Sequence, residues 1–87
     1  MPENLDIRRK RLAFRAWHRG TKELDLLIGG FADRHLAHMS ADQLNRFEAL
    51  LEVPEPVMYR WATGQEAPSA GYDHDVMKLL LKFKIPR

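Results

Sequence analysis

WHRGTKELDLLIGGFADRH, residues 17–35, reads as a turn followed by a helix, and the rest of the chain can be placed around it. Leu24, Leu27, Ile28, Phe31 and His35 recur at the three- and four-residue spacing of one helical face. A helix is therefore predicted from near Thr21 to about His38, with that stripe on the core. Gly20 breaks the chain before it, because glycine accepts the positive φ that a tight helix-to-helix turn needs. The opposite side carries Leu26, Gly29, Gly30 and Asp33. Two glycines inside a helix cost roughly 1 kcal/mol each relative to alanine, so they call for a reason. Either a neighbouring helix packs closely on them, or the backbone of a partner approaches there.

Upstream, Asn4 is placed to cap a helix running to about Trp17, with Leu5, Leu12 and Ala16 along one side. Arg8, Arg11 and Arg15 fall at i, i+3 and i+7 and form a separate basic stripe. Downstream, Ser40-Ala41-Asp42-Gln43 has the form of a capping box and opens a third helix that buries Leu44, Phe47 and Leu51. Val53-Pro54-Glu55-Pro56 ends that helix, and proline in a first turn starts a short fourth one carrying Val57, Met58 and Trp61 and ending at Gly64. Ala67 to Gly71 is a loop by composition. A fifth helix from about Asp73 places Val76, Leu79, Leu80 and Phe83 on one face and stops before Pro86. Phe47, Tyr59 and Trp61 read as core aromatics. No strand-like alternation, internal repeat or low-complexity tract interrupts this pattern. The expected fold class is all-α, a small single-domain five-helix bundle over residues 1–87.

A chain of 87 residues buries only about 60–65% of its unfolded surface, enough for one small core and little room for a deep cofactor pocket. It has no cysteine, which removes disulfides and thiolate chemistry. Charge within the first eight residues and the lack of an apolar run before a cleavage site argue against secretion. The longest apolar run, Leu26 to Ala32, is too short for a membrane span, so a soluble intracellular protein without membrane insertion is expected. The formal net charge of +2 is uneven: residues 1–22 carry +5, residues 23–52 carry −4 and residues 53–87 carry +1. A basic arm of this kind suits nucleic acid, an acidic protein surface or plain solvent.

The candidate chemistry is thin. His35 and His38 with Asp42 lack a fourth ligand, and His35 lies in the apolar stripe, so no metal site is expected. Asp73-His74-Asp75 reads as a polar helix start, with acids near the positive end of the dipole. His18, beside Arg15 and Arg19, reads as a surface residue. No serine stands in a nucleophile context, and Gly29-Gly30 sits mid-helix and cannot form a phosphate cradle. The expectation is therefore a protein that is not an enzyme. Leu51 to Ser69 looks like a repressor-type helix-turn-helix, which makes a small nucleic-acid-binding protein the alternative reading. Its recognition positions, however, are Glu55, Pro56, Val57 and Met58, an acid and hydrophobes where polar or basic groups are wanted. No nucleic-acid partner is expected.

Arg19-Gly20-x-x-Glu23 puts a cation and an acid around a turn glycine at a helix start. In isolation, Glu23 could be a favourable first-turn acid with Arg19 as its local ion-pair partner. With its surroundings, FRAWHRGTKELDLLIGGFADRHL and then LNRFEALLEVPEPVMYRWATGQ, the chain resembles the FAD assembly factors of succinate dehydrogenase, called succinate dehydrogenase assembly factor 2 in mitochondria. The resemblance runs over roughly residues 7 to 85. Arg19, Gly20 and Glu23 match that family's Arg-Gly-x-x-Glu motif, extended by Leu24-Asp25, and Tyr59 to Gly64 matches its aromatic-x-Trp-x-x-Gly segment. It implies a small five-helix chaperone that promotes covalent attachment of FAD to the flavoprotein subunit of succinate dehydrogenase, and in some bacteria of fumarate reductase. It implies that the bond-forming chemistry belongs to the client and its FAD; without a phosphate cradle no stable FAD site is expected here, and the absence of an N-terminal transit segment favours a bacterial cytoplasmic protein. On this reading Arg19 and Glu23 hydrogen-bond to the client, and Gly20 leaves room for the client backbone. Leu26, Gly29, Gly30 and Asp33 extend the contact, and Arg8, Arg11 and Arg15 meet an acidic rim of the client.

Overall fold

A computed structural model describes residues 4–83. Among the described residues there are five α-helices and no strand: α1 (Leu5–Trp17), α2 (Lys22–His35), α3 (Ala41–Leu51), α4 (Glu55–Ala62) and α5 (Asp75–Lys82). Two single 3-10 turns, Leu36–His38 and Ala70–Tyr72, tighten the end of α2 and the loop before α5. None of the described helices is long and apolar enough to cross a membrane.

The helix ends follow the local signals. The Asn4 side chain accepts a hydrogen bond from the Asp6 N–H at 2.7 Å. Ser40 and Gln43 form both halves of the capping box, at 3.2 and 3.0 Å. His74 caps α5 through its Nδ1, which accepts from the Met77 N–H at 3.2 Å. Gly20 and Gly64 take positive φ, +119° and +80°, at the two points where the chain leaves a helix and reverses.

α1 packs on α2 and α3, and α5 packs on α3 and α4. Between them runs one continuous core, in which Phe31 and Phe47 are the largest fully buried side chains and lie with their ring centroids 5.8 Å apart. Leu12 and Ala16 enter it from α1, Leu24 and Ile28 from α2, Leu44 and Leu50 from α3, Met58 and Trp61 from α4, and Val76 and Leu80 from α5.

Three expectations about burial need correction. Leu5 lies on the same side as Leu12 but is the first residue of α1, at the open end of the helix, and remains 39% exposed. On α5 the buried flank is Met77 and not Leu79, which is exposed. Both positions flank the Val76–Leu80 axis at helical spacing, so the placement of the neighbouring helices, not the period, chooses between them. Tyr59 is no core aromatic: 39% of it is exposed. The expected stop before Pro86 lies outside the described residues, and α5 itself ends at Lys82, with the Phe83 N–H bonded to the Leu80 carbonyl.

His35 is wedged between Phe31 and Phe83, at ring-centroid distances of 4.5 and 6.3 Å. Burial, reinforced by Arg34 and His38, holds its pKa below the ordinary histidine value. A histidine held neutral in the fold but free to protonate when unfolded contributes stability that is complete above the unfolded pKa of about 6.5 and is lost as pH falls below it. The melting temperature is thus expected to fall between pH 7.5 and 5.5, above the range in which carboxylates titrate. His35→Phe, which keeps an aromatic ring without the titration, should flatten that slope in a thermal melt followed by circular dichroism.

Candidate functional site

The polar features of the chain converge on the turn between α1 and α2. After Trp17 the chain passes through His18, whose N–H bonds to the Arg15 carbonyl, and reverses at Gly20. Thr21 occupies the N-cap position of α2 without using its side chain. Asp25, one turn into α2, reaches back to the turn: its Oδ1 accepts the backbone N–H of Arg19 at 2.7 Å and of Gly20 at 3.3 Å. The turn is fixed by a carboxylate that also meets the positive end of the helix dipole.

Arg19 and Glu23 leave this turn in different directions. The Arg19 guanidinium passes inward, with only 5% of its side chain exposed, and donates to the Leu51 and Val53 carbonyls, each at 2.8 Å. These carbonyls belong to the end of α3 and the link to α4, groups that a helix terminus leaves without an internal partner. The Nε faces Glu55 Oε1 at 3.6 Å, and both atoms are buried without a hydrogen-bond partner. Burial draws the Arg19 pKa below its ordinary value, while Glu55 opposes that shift. The expectation that Arg19 pairs with Glu23 is corrected here, since its acidic neighbour is Glu55. Arg19 ties the α1–α2 turn to the α3–α4 link through two of its N–H groups.

Glu23, in contrast, is exposed and forms no ion pair or side-chain hydrogen bond with the described residues. It stands at the edge of a groove of about 490 Å³ whose walls include Leu24 from α2 and Glu55, Pro56 and Tyr59 from α4. A smaller depression sharing Glu23, Leu24 and Tyr59 continues it toward Thr63. Gly20 is exposed beside this edge. A Cβ there would stand 3.7 Å from Glu55 Oε2, an ordinary contact, so the glycine is required by its φ and not by lack of space.

The second predicted surface, on the outer side of α2, is rearranged by Trp17. A Cβ on Gly29 would lie 2.2 Å from Trp17 Cδ2, and Gly29 is buried beneath that indole. The Trp17 Nε1 donates to both oxygens of Asp33 at 3.2 Å. Gly30 faces the Phe83 ring, with a Cβ position 3.3 Å from its Cζ. Of the two reasons considered for the paired glycines, close packing within the chain is the one realised. Gly29 is covered by the Trp17 indole, and Trp17, Leu26 and Asp33 are what this side exposes around it. Trp17 was missed because the sequence does not say where its indole lies; a bulky aromatic on the preceding helix was the one available clue.

The basic stripe is also largely spent within the chain. Arg8 bonds to Asn45 and, at 3.0 Å, to Glu48; Arg15 pairs with Glu48 and Glu52. Arg11 is exposed on the same helix. The basic arm thus lies on the acidic middle segment. Exposed pairs of this kind are each worth about 0.2–1 kcal/mol, so they set the register of α1 on α3 more than they stabilise it. Arg9, not singled out from sequence, caps the end of α2 by donating to the Leu36 and Met39 carbonyls at 2.8 and 2.9 Å.

Other candidates fall away on geometry. His18 is exposed and stacks on Phe14 at 4.1 Å. Among the described residues no group of three histidines or acids is placed to hold a metal ion. The first turn of α4 presents no base-reading face, because Met58 is fully buried and Glu55 is paired with Arg19.

The fold and this edge define a small all-α protein with an exposed acid and a partly apolar groove beside its Arg-Gly turn. The model of the family described as the flavinator of succinate dehydrogenase matches residues 10–84, and the chain belongs to that family. It is 48% identical over 63 residues to the FAD assembly factor SdhE of Acetobacter pasteurianus, covering 72% of this chain and 58% of that protein. It is 39% identical over 61 residues to the mitochondrial succinate dehydrogenase assembly factor 2 of Debaryomyces hansenii, covering 70% and 43%. To the corresponding protein of Danio rerio it is 36% identical over 83 residues, covering 93% and 52%. The chain spans about half the length of these relatives.

Proposed function

We propose that this chain promotes covalent attachment of FAD to the flavoprotein subunit of succinate dehydrogenase in the bacterial cytoplasm, acting as an assembly factor and not as the catalyst. The observation that carries the reading is the exposed, unpartnered Glu23 held beside a rigid turn in a chain of the flavinator family. The relatives named above as FAD or succinate dehydrogenase assembly factors support it. Gly20 and Glu23 form the centre of the client contact, with Leu26, Asp33 and Trp17 at its margin. A fumarate reductase flavoprotein subunit is a second client on the same reading.

The flavin belongs to the client. The diglycine of α2 is no phosphate cradle, since Gly29 lies beneath Trp17 and its backbone is in mid-helix. The contribution of this chain is to hold the immature subunit so that flavin and acceptor side chain stay in a reactive arrangement. Orientation of this kind lowers a barrier without adding a reacting group.

The test is to prepare the flavoprotein subunit with FAD, with and without this chain, denature it, and read the flavin fluorescence that remains on the polypeptide. Fluorescence is expected to rise with the wild-type chain. Glu23→Gln should weaken the client complex about ten- to one-hundred-fold, the equivalent of one charge-assisted contact of about 1.5–3 kcal/mol. Gly20→Arg should abolish the rise. Because any L residue at a φ of +119° carries strain of about 1–3 kcal/mol, its helical content is checked by circular dichroism at the assay temperature. Unchanged covalent flavin on adding the wild-type chain would overturn the proposal.

A further inference from the structure

The groove beside the Arg-Gly turn has a composition that selects a particular kind of side chain. Its floor and far wall are apolar, made by Leu24, Pro56 and the 39%-exposed Tyr59. Its polar lining residues are two acids, Glu23 and Glu55, with Thr21 and Lys22 beside them. Glu55 already faces Arg19, which stands behind it in the interior at 3.6 Å. Lys22, next to Glu23 in sequence, lines the same groove but forms no ion pair with it, so the Glu23 carboxylate has no bonded counter-charge.

We propose that this groove takes a single arginine or lysine side chain from an extended segment of the client flavoprotein subunit. The methylene stem lies along Pro56 and Leu24, and the head group reaches Glu23 over the face of Tyr59. Long cationic side chains are the ones that combine an apolar stem with a charged tip. An aromatic face within reach of a carboxylate favours a cation twice, through the ring quadrupole and through the charge. An acidic segment would meet Glu23 and Glu55 unfavourably, and a purely apolar one would leave Glu23 desolvated without a partner.

This inference rests on the function proposed above, and the experiment separates the two. A photo-crosslinking benzoylphenylalanine at position 59 is used to capture the full-length immature flavoprotein subunit, and mass spectrometry locates the captured segment. Capture of a segment containing an arginine or lysine is expected. Glu23→Arg should weaken the complex at least tenfold, replacement of the captured client cation by glutamate should weaken it similarly, and the two changes together should restore most of the binding. If the segment lacks a cation, or the paired reversal gives no rescue while the wild-type chain still raises covalent flavin, the groove assignment is wrong and the assembly function stands. If the wild-type chain raises no covalent flavin, both readings fall.

Discussion

Replacing Arg19 by alanine is expected to destabilise the domain by about 3–5 kcal/mol, the cost of removing one partner from a buried ion pair. The same change leaves the Leu51 and Val53 carbonyls without donors at the end of α3. Domains of this size have a total stability of only about 4–13 kcal/mol, so much of it is lost. A fall in melting temperature of about 12–40 °C follows, at about 4–8 °C per kcal/mol for a chain of this length. Arg19→Lys keeps the charge, but its single ammonium cannot span both carbonyls and face Glu55 as the planar fork does, so an intermediate loss is expected. If Arg19→Ala melted within a few degrees of the wild type and lost only client binding, the inward role given to this side chain would be wrong. The first residue of the Arg-Gly-x-x-Glu motif then builds the edge from inside, while the last stays exposed on it.

Gly29→Val should be nearly as damaging, at about 2–3 kcal/mol, because its Cβ and branches enter space filled by an aromatic ring in a packed site. The indole of Trp17 stands 2.2 Å from the Cβ position, and it cannot move aside without giving up its bonds to Asp33. Displacement of the ring gives the expectation a second readout: in a Trp61→Phe background, the remaining Trp17 emission should shift to the red. Gly30→Ala is the internal comparison. Its new methyl meets the edge of Phe83 at 3.3 Å, and the gain of about 1 kcal/mol in helix propensity offsets that crowding, so a change within about 1 kcal/mol is expected. Equal losses at the two glycines in chemical denaturation would contradict the packing described here.

Much of the fold was legible because its signals are local. The caps at Asn4 and Ser40, the positive-φ turns at Gly20 and Gly64 and the proline restart of α4 each depend on residues a few positions apart. The period that places Leu24, Ile28 and Phe31 on one face is equally local. The family was legible for a related reason, since the Arg19-Gly20-x-x-Glu23 motif and the Tyr59 to Gly64 segment are contiguous strings. The candidate site was legible only in part: the motif residues around the turn could be named, but not which of them turn inward and which stay exposed.

The chain's own pattern therefore established five helices, their order, most of their ends and the location of the turn on which function is proposed to rest. Packing established which side chains remain available. Arg19 finds its carbonyls 32 and 34 residues away, Arg8 finds Glu48 at a separation of 40, and Trp17 covers a glycine twelve positions on. An arginine stripe is the same string of letters whether it meets solvent, a client or acids of its own chain. Long-range burial decides among these, because a charged or aromatic side chain goes where its desolvation is best repaid, and that place exists only once the helices have assembled.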